Sequence, residues 1–219
     1  MTKRGVVTFV FDDGYERVYQ NALPLLNKYN MPAVFAVSLD APKLTRGKEF
    51  RKIRPWQGWL PLRHQGHEIA SHTVTHPDLT KIDAARLDHE LQQSARLLNT
   101  TTLVYPGGAF NDDVVRAASK YYTAARTIKK GLESLPPRDA LRLKVKKNYS
   151  RNNFSVLKAN LRVLWAYLTN SWIIETFHMI DDDDQQMVHT VKTSDFSNHL
   201  AFVSRLPIQV KTICDCLGK

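Results

Sequence analysis

The sequence has 219 residues, of which 43% are hydrophobic, and no Pro-, Gly- or Ser-rich linker divides it. We therefore expect one domain over residues 1–219 with a single large core. Lys and Arg outnumber Asp and Glu by 31 to 21, giving a net charge of +10. This charge is compatible with an anionic partner, but a basic solvated surface explains most individual lysines equally well.

Several classes of protein are disfavoured at once. No apolar run reaches transmembrane length, and the first strand begins near residue 5, so we expect neither a membrane span nor a signal peptide in the sequence as given. Cys214 and Cys216 are the two cysteines. Their spacing is too tight for an easy bridge, so we expect no disulfide framework.

The chain alternates between predicted strands and helices. Residues 5–14 begin with an apolar run without polar alternation, which is typical of a strand covered on both faces. Residues 43–54 are basic and are predicted to form a surface loop. Hydrophobic spacing predicts further strands over 33–39, 68–71, 102–105, 121–127, 141–146, 172–177 and 208–211. It predicts helices over 16–29, 56–65, 83–98, 111–120, 153–168, 194–205 and 212–217.

Two adjacent carboxylates, Asp12 and Asp13, stand at the carboxyl end of the first strand. In α/β folds this end carries the loops that build active sites. Neighbouring carboxylates repel each other unless a positive charge lies beside them, and a divalent metal ion is the obvious candidate. Because Asp-Gly is also ordinary turn chemistry, a plain turn is the alternative.

The second chemical element is the segment from His72 to His76, which follows the strand at 68–71. A spacing of four places two imidazoles on one face of a single helical turn, which suits a metal ion. Histidines that merely pack or cap also occur at this spacing. Combined with an aspartate from the first strand, the pair forms a ligand set with open positions, as a hydrolytic metal centre needs.

Two further strand ends carry candidate residues. Tyr105 ends the strand at 102–105, and Pro106 and Gly107 follow it. The Gly107 N–H is able to face a developing oxyanion, with a plain turn as the alternative. His178 ends the apolar strand at 172–177, where a buried core histidine is the alternative.

Four motifs carry a family resemblance. They are FVFDDG (9–14), SHTVTHP (71–77), YPGGAFN (105–111) and WIIETFH (172–178). In this order they resemble the polysaccharide deacetylases, the NodB-homology domain of carbohydrate esterase family 4. The resemblance covers nearly the whole chain and implies an irregular (β/α) barrel, which agrees with the strand and helix alternation.

By position, the resemblance implies that Asp12 is the general base, that His178 is the general acid and that Asp13, His72 and His76 hold a metal ion. The chemistry is consistent, because a carboxylate beside the metal takes a proton from water and a histidine protonates the leaving amine. We expect one divalent ion, with Zn²⁺ first and Co²⁺, Ni²⁺ or Fe²⁺ also compatible.

The chain departs from the family pattern at two places. Many members have an arginine two residues before the motif proline, where this sequence has Val104, and its Tyr-Pro-x-Gly form resembles a known subgroup. Arg126, at the tip of the next strand, is the candidate to supply the charge beside the base. The Asp-x-x-Asp-Trp segment that tunes the acid histidine has no clear counterpart, although Asn152 and Asn153 lie near its place.

Three functions compete at this point. The leading one is a metal-dependent hydrolase that removes N-acetyl groups from amino sugars in a glycan. The second keeps the fold and metal but acts on a small cyclic amide or ureide. The third is a non-catalytic binder of an anionic polymer or nucleic acid. The complete set of ligands and acid/base groups disfavours the third, so we expect a glycan partner and no nucleic acid. The oligomeric state stays open.

Overall fold

The computed structural model describes residues 4–41, 44, 51–183 and 187–218, apart from the side chains of Lys147 and Asn148. The predicted loop over 43–54 lies largely outside these residues. Within them, the strands are β1 Val6–Phe11, β2 Val34–Val37, β3 Glu68–Ser71, β4 Thr102–Val104, β5 Ala124–Lys130, β6 Leu143–Val145, β7 Lys147–Asn148, β8 Trp172–Phe177, β9 Met179–Ile180, β10 Thr190–Val191 and β11 Gln209–Val210. The α-helices are α1 Leu23–Lys28, α2 Ala84–Leu98, α3 Asp112–Ala118, α4 Val156–Leu168, α5 Thr193–Val203 and α6 Ile213–Cys216.

Nine of these strands form a parallel barrel, and β9 and β10 pair with each other separately. Their order is β6-β5-β4-β3-β2-β1-β8-β7, with β11 added beside β1. A single residue separates β6 from β7, and there the Lys146 N–H donates to the Ile174 carbonyl at 2.9 Å, so the two ends of the order meet. The predicted irregular (β/α) barrel is confirmed.

Alternation along the strands divides the apolar residues between two layers. On β1, Val6 and Val10 belong to a cluster drawn from seven strands, which fills the barrel interior. Phe9 and Phe11 belong to the larger cluster between the barrel and helices α1, α4 and α5. Asp12 has the parity of Val6 and Val10, so its side chain faces the mouth of the barrel.

Most predicted elements have the right type, and β3 and β8 also have the predicted bounds. The predicted helix over 16–29 is divided into a π-helical turn, Val18–Ala22, and α1. β5 begins at Ala124 rather than at residue 121, because the N–H of Tyr122 still bonds to the carbonyl of Ala118 at the end of α3. Among the described residues, no helix combines the length and apolarity needed to cross a bilayer.

Candidate metal centre and active site

The predicted site residues converge at the carboxyl ends of the barrel strands. They surround a cavity of about 210 Å³. Pro106 is the exception among them: it lines a neighbouring cavity of about 540 Å³, which shares His76 and Gly107 with the first. The smaller cavity is lined by Asp12, Asp13, His72, His76, Tyr105, Gly107, Gly108, Arg126, Ile128, His178 and His189.

Asp13, His72 and His76 form a cluster of converging ligand atoms. The Nε2 atoms of His72 and His76 lie 3.4 and 3.5 Å from Asp13 Oδ1, and 3.1 Å from each other. Around a tetrahedral ion with bonds of about 2.1 Å, ligand atoms stand roughly 3.4 Å apart. The observed spacings therefore fit one ion. No second such cluster of His, Cys, Asp or Glu occurs in the described part of the chain.

The orientation of His72 is set by the backbone of β4. Its Nδ1 lies 2.7 Å from the carbonyl oxygen of Val104. A carbonyl only accepts, which assigns the proton to Nδ1 and leaves the Nε2 lone pair directed at Asp13 and His76. This is the tautomer that a metal ligand needs.

The segment between the two histidines is a loop, so the predicted single helical turn is wrong. Thr73 and His76 have positive φ angles of 68° and 53°, which break a helical path. The buried carboxylate of Glu90 on α2 accepts hydrogen bonds from the N–H groups of Val74 and Thr75, at 2.8 and 2.9 Å. An anchored loop, rather than helical spacing, brings the two imidazoles together.

Although adjacent in sequence, Asp12 and Asp13 contact different side chains. A φ of 73° at Asp13 places it in the left-handed region and turns its carboxylate toward the histidines. Burial alone would raise the pKa of Asp13, but the neighbouring imidazoles of His72, His178 and His76 hold it well below its usual range. Asp13 is therefore ionised at neutral pH, as a ligand must be.

Asp12 pairs with Arg126. The Arg126 Nη2 donates to both carboxylate oxygens of Asp12, at 2.5 and 2.6 Å, and its side chain is 1% exposed. The β4–β5 register places Arg126 directly beside Val104. The Arg126 guanidinium thus reaches the Asp12 carboxylate from β5. Val104 is the residue beside Arg126 on the neighbouring strand, β4.

His178 lines the same cavity as Asp13, His72 and His76. Its Nε2 is 3.8 Å from Asp12 Oδ2, and its Nδ1 has no hydrogen-bond partner among the described residues. The ring stacks on His189, with centroids 4.8 Å apart. Partial burial and the neighbouring His178 lower the pKa of His189. Asn153, which lies near the place of the family's segment that tunes the acid histidine, accepts a hydrogen bond from the N–H of Ser150 at 3.1 Å.

Tyr105 and the two glycines form one wall of the cavity. The Tyr105 hydroxyl donates to the Leu141 carbonyl at 3.0 Å, and burial raises its pKa well above the usual range, so it stays neutral. Gly107 and Gly108 have φ angles of 58° and 71°. A Cβ at Gly108 would overlap Ile128, whereas one at Gly107 would meet open space. The backbone at Gly107 is therefore accessible from the cavity.

Sequence reasoning missed His189 and Glu90. His189 precedes the short strand β10, which the sequence did not predict, so the signal used for His178, a histidine at the carboxyl end of a predicted strand, was absent for it. Glu90 lies on the apolar stripe of α2 between Leu87 and Leu91, and it is 2% exposed. A buried carboxylate needs hydrogen-bond donors. The position of Glu90 on the buried face of α2 was therefore the signal in the sequence that it binds backbone N–H groups outside the helix.

Comparison with known proteins places this geometry in context. The polysaccharide deacetylase family model matches residues 1–125, more than half of the chain. A chitooligosaccharide deacetylase of Sinorhizobium fredii is 28% identical over 131 residues, which cover 54% of this chain and 54% of that protein. A gellan lyase of a Bacillus species is 33% identical over 147 residues, covering 64% of this chain and 5% of that protein. The chain thus spans well under two thirds of the length of these relatives.

The barrel also resembles solved structures. The chitin deacetylase of Colletotrichum lindemuthianum superposes with a TM-score of 0.67 at 19% identity, covering 100% of this chain and 89% of that one. At this identity the likeness shows the fold. This chain and that deacetylase therefore share the β/α-barrel fold.

Proposed function

The chain belongs to the polysaccharide deacetylase family, and we propose that residues 1–219 form a single catalytic domain that hydrolyses N-acetyl groups on the amino sugars of a glycan. One observation carries the proposal. A cluster of three ligand atoms shares its cavity with a buried carboxylate, Asp12, which stands apart from that cluster and pairs with Arg126. Metal-assisted hydrolysis of an acetamide needs residues that hold the ion and a separate residue that acts as the general base.

Asp13, His72 and His76 would hold one divalent ion, with Zn²⁺ the first choice for two imidazoles and a carboxylate and Co²⁺, Ni²⁺ or Fe²⁺ compatible. When bound, such an ion supplies Lewis acidity, which lowers the pKa of water and polarises the acetamide carbonyl. The spacing of the three ligand atoms and the His72 tautomer support this assignment.

The remaining residues divide the proton transfers between them. Asp12 takes a proton from the attacking water, and Arg126 fixes the carboxylate in position and balances its charge. His178, whose Nε2 is 3.8 Å from Asp12 Oδ2 in the same cavity, would deliver a proton to the leaving amine. The Gly107 N–H would donate to the oxyanion as the carbonyl is attacked, beside the wall formed by Tyr105.

The size of the cavity suits a substrate in which a small reacting group is attached to a longer glycan chain. A space of about 210 Å³ suits an acetamide and part of one sugar ring, since sites for whole small ligands are larger, at about 300–1,000 Å³. The adjoining cavity, which Pro106 lines, offers room for the next sugar of a glycan.

Acetate release tests the proposal directly. Chitooligosaccharides are incubated with the protein as purified, after chelation, and after chelation followed by Zn²⁺. We expect release that chelation abolishes and Zn²⁺ restores. A cyclic imide serves as the parallel substrate. Ring opening of the imide without acetate release, or release unaffected by removal of the metal, would contradict the proposal.

A further inference from the structure

The outer face of α4 is apolar. Ala159, Val163 and Ala166 are buried against the barrel. On the opposite side, residues three or four apart form a continuous stripe, because such spacing places side chains on one helix face. This α4 stripe consists of Leu157, Leu161, Trp165 and Leu168, which are 68%, 53%, 57% and 57% exposed. Large apolar patches of this kind on a folded protein mark interaction surfaces.

The sequence segment that contains the stripe is rich in basic side chains. Between Asp139 and Glu175 the sequence contains no acidic residue. On α4 itself, Lys158 is exposed and Arg162 is half-buried, both on one flank of the stripe. The cations of the whole segment are Arg142, Lys144, Lys146, Lys147, Arg151, Lys158 and Arg162.

We propose that the α4 stripe binds the surface of an anionic lipid bilayer, with the helix axis parallel to the membrane. Interfacial helices combine an apolar face that contains Trp and Leu with Lys or Arg beside it. Anionic headgroups attract such a basic segment, while the indole of Trp165 suits the boundary between headgroups and acyl chains. At 13 residues, α4 is too short to cross a bilayer, so it would lie on the membrane surface.

A second copy of this chain is a poorer occupant. An antiparallel two-fold contact along the stripe would place the flanks with Lys158 and Arg162 of both copies on the same side, and like charges repel. The stripe consists of four exposed side chains, whereas a stable interface uses about 20 to 30 residues on each side. The charge that opposes self-association favours an anionic surface.

Vesicle co-sedimentation of the full chain tests the proposal. The vesicles contain either phosphatidylcholine alone or phosphatidylcholine with about a third phosphatidylglycerol, in low and high salt. We expect binding to the anionic vesicles at least roughly tenfold tighter than to the neutral ones, and weaker in high salt. Leu161→Gln/Trp165→Gln should lower the affinity roughly tenfold or more, and Lys158→Glu should lower it about threefold.

The matched control is Leu97→Gln, which replaces a leucine of α2 that is 41% exposed. It should bind vesicles as the parent does. Circular dichroism and acetate release from a soluble oligosaccharide verify the fold of each variant, since none of these residues lines the catalytic cavity.

Three results would overturn the inference: no binding of the parent to anionic vesicles at millimolar lipid, equal binding by the parent and the double variant, or a sedimenting dimer that the double variant dissociates. The last would identify a second copy as the occupant. Each of these results leaves the proposed deacetylation unaffected, because that activity is measured on a soluble substrate.

Discussion

Strand β8 contributes to two histidine–carboxylate clusters on its opposite faces. His178 faces the cavity and lies near Asp12. Glu175, three residues earlier, faces the layer between the barrel and the helices. There it accepts hydrogen bonds from the hydroxyl of Tyr149 and from His199 Nε2, the latter at 2.8 Å. We call the second group, Glu175, His199, Tyr149 and Asn160, the outer network.

The two clusters differ in how their polar atoms are satisfied. In the outer network both ring nitrogens of His199 have partners, since Nδ1 lies 2.7 Å from Asn160 Oδ1, and both Glu175 oxygens accept hydrogen bonds. In the cavity, the Nε2 atoms of His72 and His76 face each other and Asp13. A closed network stabilises the fold. Ligand atoms that converge in this way form the arrangement that a metal ion needs. The same residue types thus form different arrangements on the two faces.

The largest effect should follow removal of a ligand from the cavity cluster. His72→Ala should lose the metal and reduce acetate release by roughly a thousandfold or more, because both the Lewis acid and its orientation disappear. Elemental analysis and acetate assays measure this, with His89→Ala on the exposed side of α2 as the control. A His72→Ala protein as metal-loaded as the parent would show that these ligands are wrong.

Asp12 should separate catalysis from metal binding. Asp12→Asn should keep the metal and lower kcat by about a hundred- to ten-thousandfold, since a general base is lost. Asp13→Asn is the paired variant and should lose the metal. If the metal contents of these two variants were reversed, the roles of the two carboxylates would be exchanged.

The outer network should affect stability and leave the site intact. Glu175→Ala leaves His199 and Tyr149 without their buried partner, which should lower the free energy of unfolding by about 3–5 kcal/mol. Urea denaturation measures the loss. Below its unfolding transition the variant should retain the metal content of the parent, and loss of metal from the folded variant would contradict the separation of the two clusters.

His178 should distinguish substrates by their leaving group. His178→Ala should slow release from an acetamide by about a hundredfold but release from an activated aryl acetate by less than about tenfold, because the aryloxide leaves without a proton. The metal content should not change. Equal losses on both substrates would indicate that His178 positions the substrate instead of protonating the amine.

The smallest effect concerns His67, another histidine whose ring nitrogens both have partners. Nδ1 accepts from the Ala33 N–H at 3.1 Å, and Nε2 lies 3.1 Å from Asn27 Oδ1. Burial lowers its pKa to about 4, below the value near 6.5 in unfolded chains. The unfolded state therefore binds the proton first, so stability is full above about pH 6.5 and falls as the pH drops toward 4.

After allowance for solvent screening, we expect His67 to account for about 1–2 kcal/mol of this acid destabilisation. Urea unfolding of His67→Gln at pH 7.5 and 4.5 should show a smaller difference between the two pH values than the parent shows. His64→Gln, at an exposed position, is the control and should behave as the parent does. Identical pH dependence in His67→Gln and the parent would exclude this role.

Local sequence patterns were sufficient for most of the fold and for the identities of the site residues. The apolar run of β1 followed by Asp12 and Asp13, and the stripe of α2, depend on alternation and helical periodicity within a few residues. Such signals are expressed within one element, so the chain alone predicts them. The positions of strand ends then predicted that the carboxylates and histidines would meet, because parallel strands end at the same mouth.

By itself, then, the sequence determined a β/α barrel, its family and the residues gathered at its mouth. The tertiary structure alone decided how those residues are aimed: the positive φ at Thr73 and His76, the β4–β5 register that sets Arg126 beside Val104, and the stacking of His189 on His178. It also decided which apolar face of α4 is buried, since both faces carry aliphatic side chains. These features depend on contacts between residues distant in the chain, and local periodicity contains no information about them.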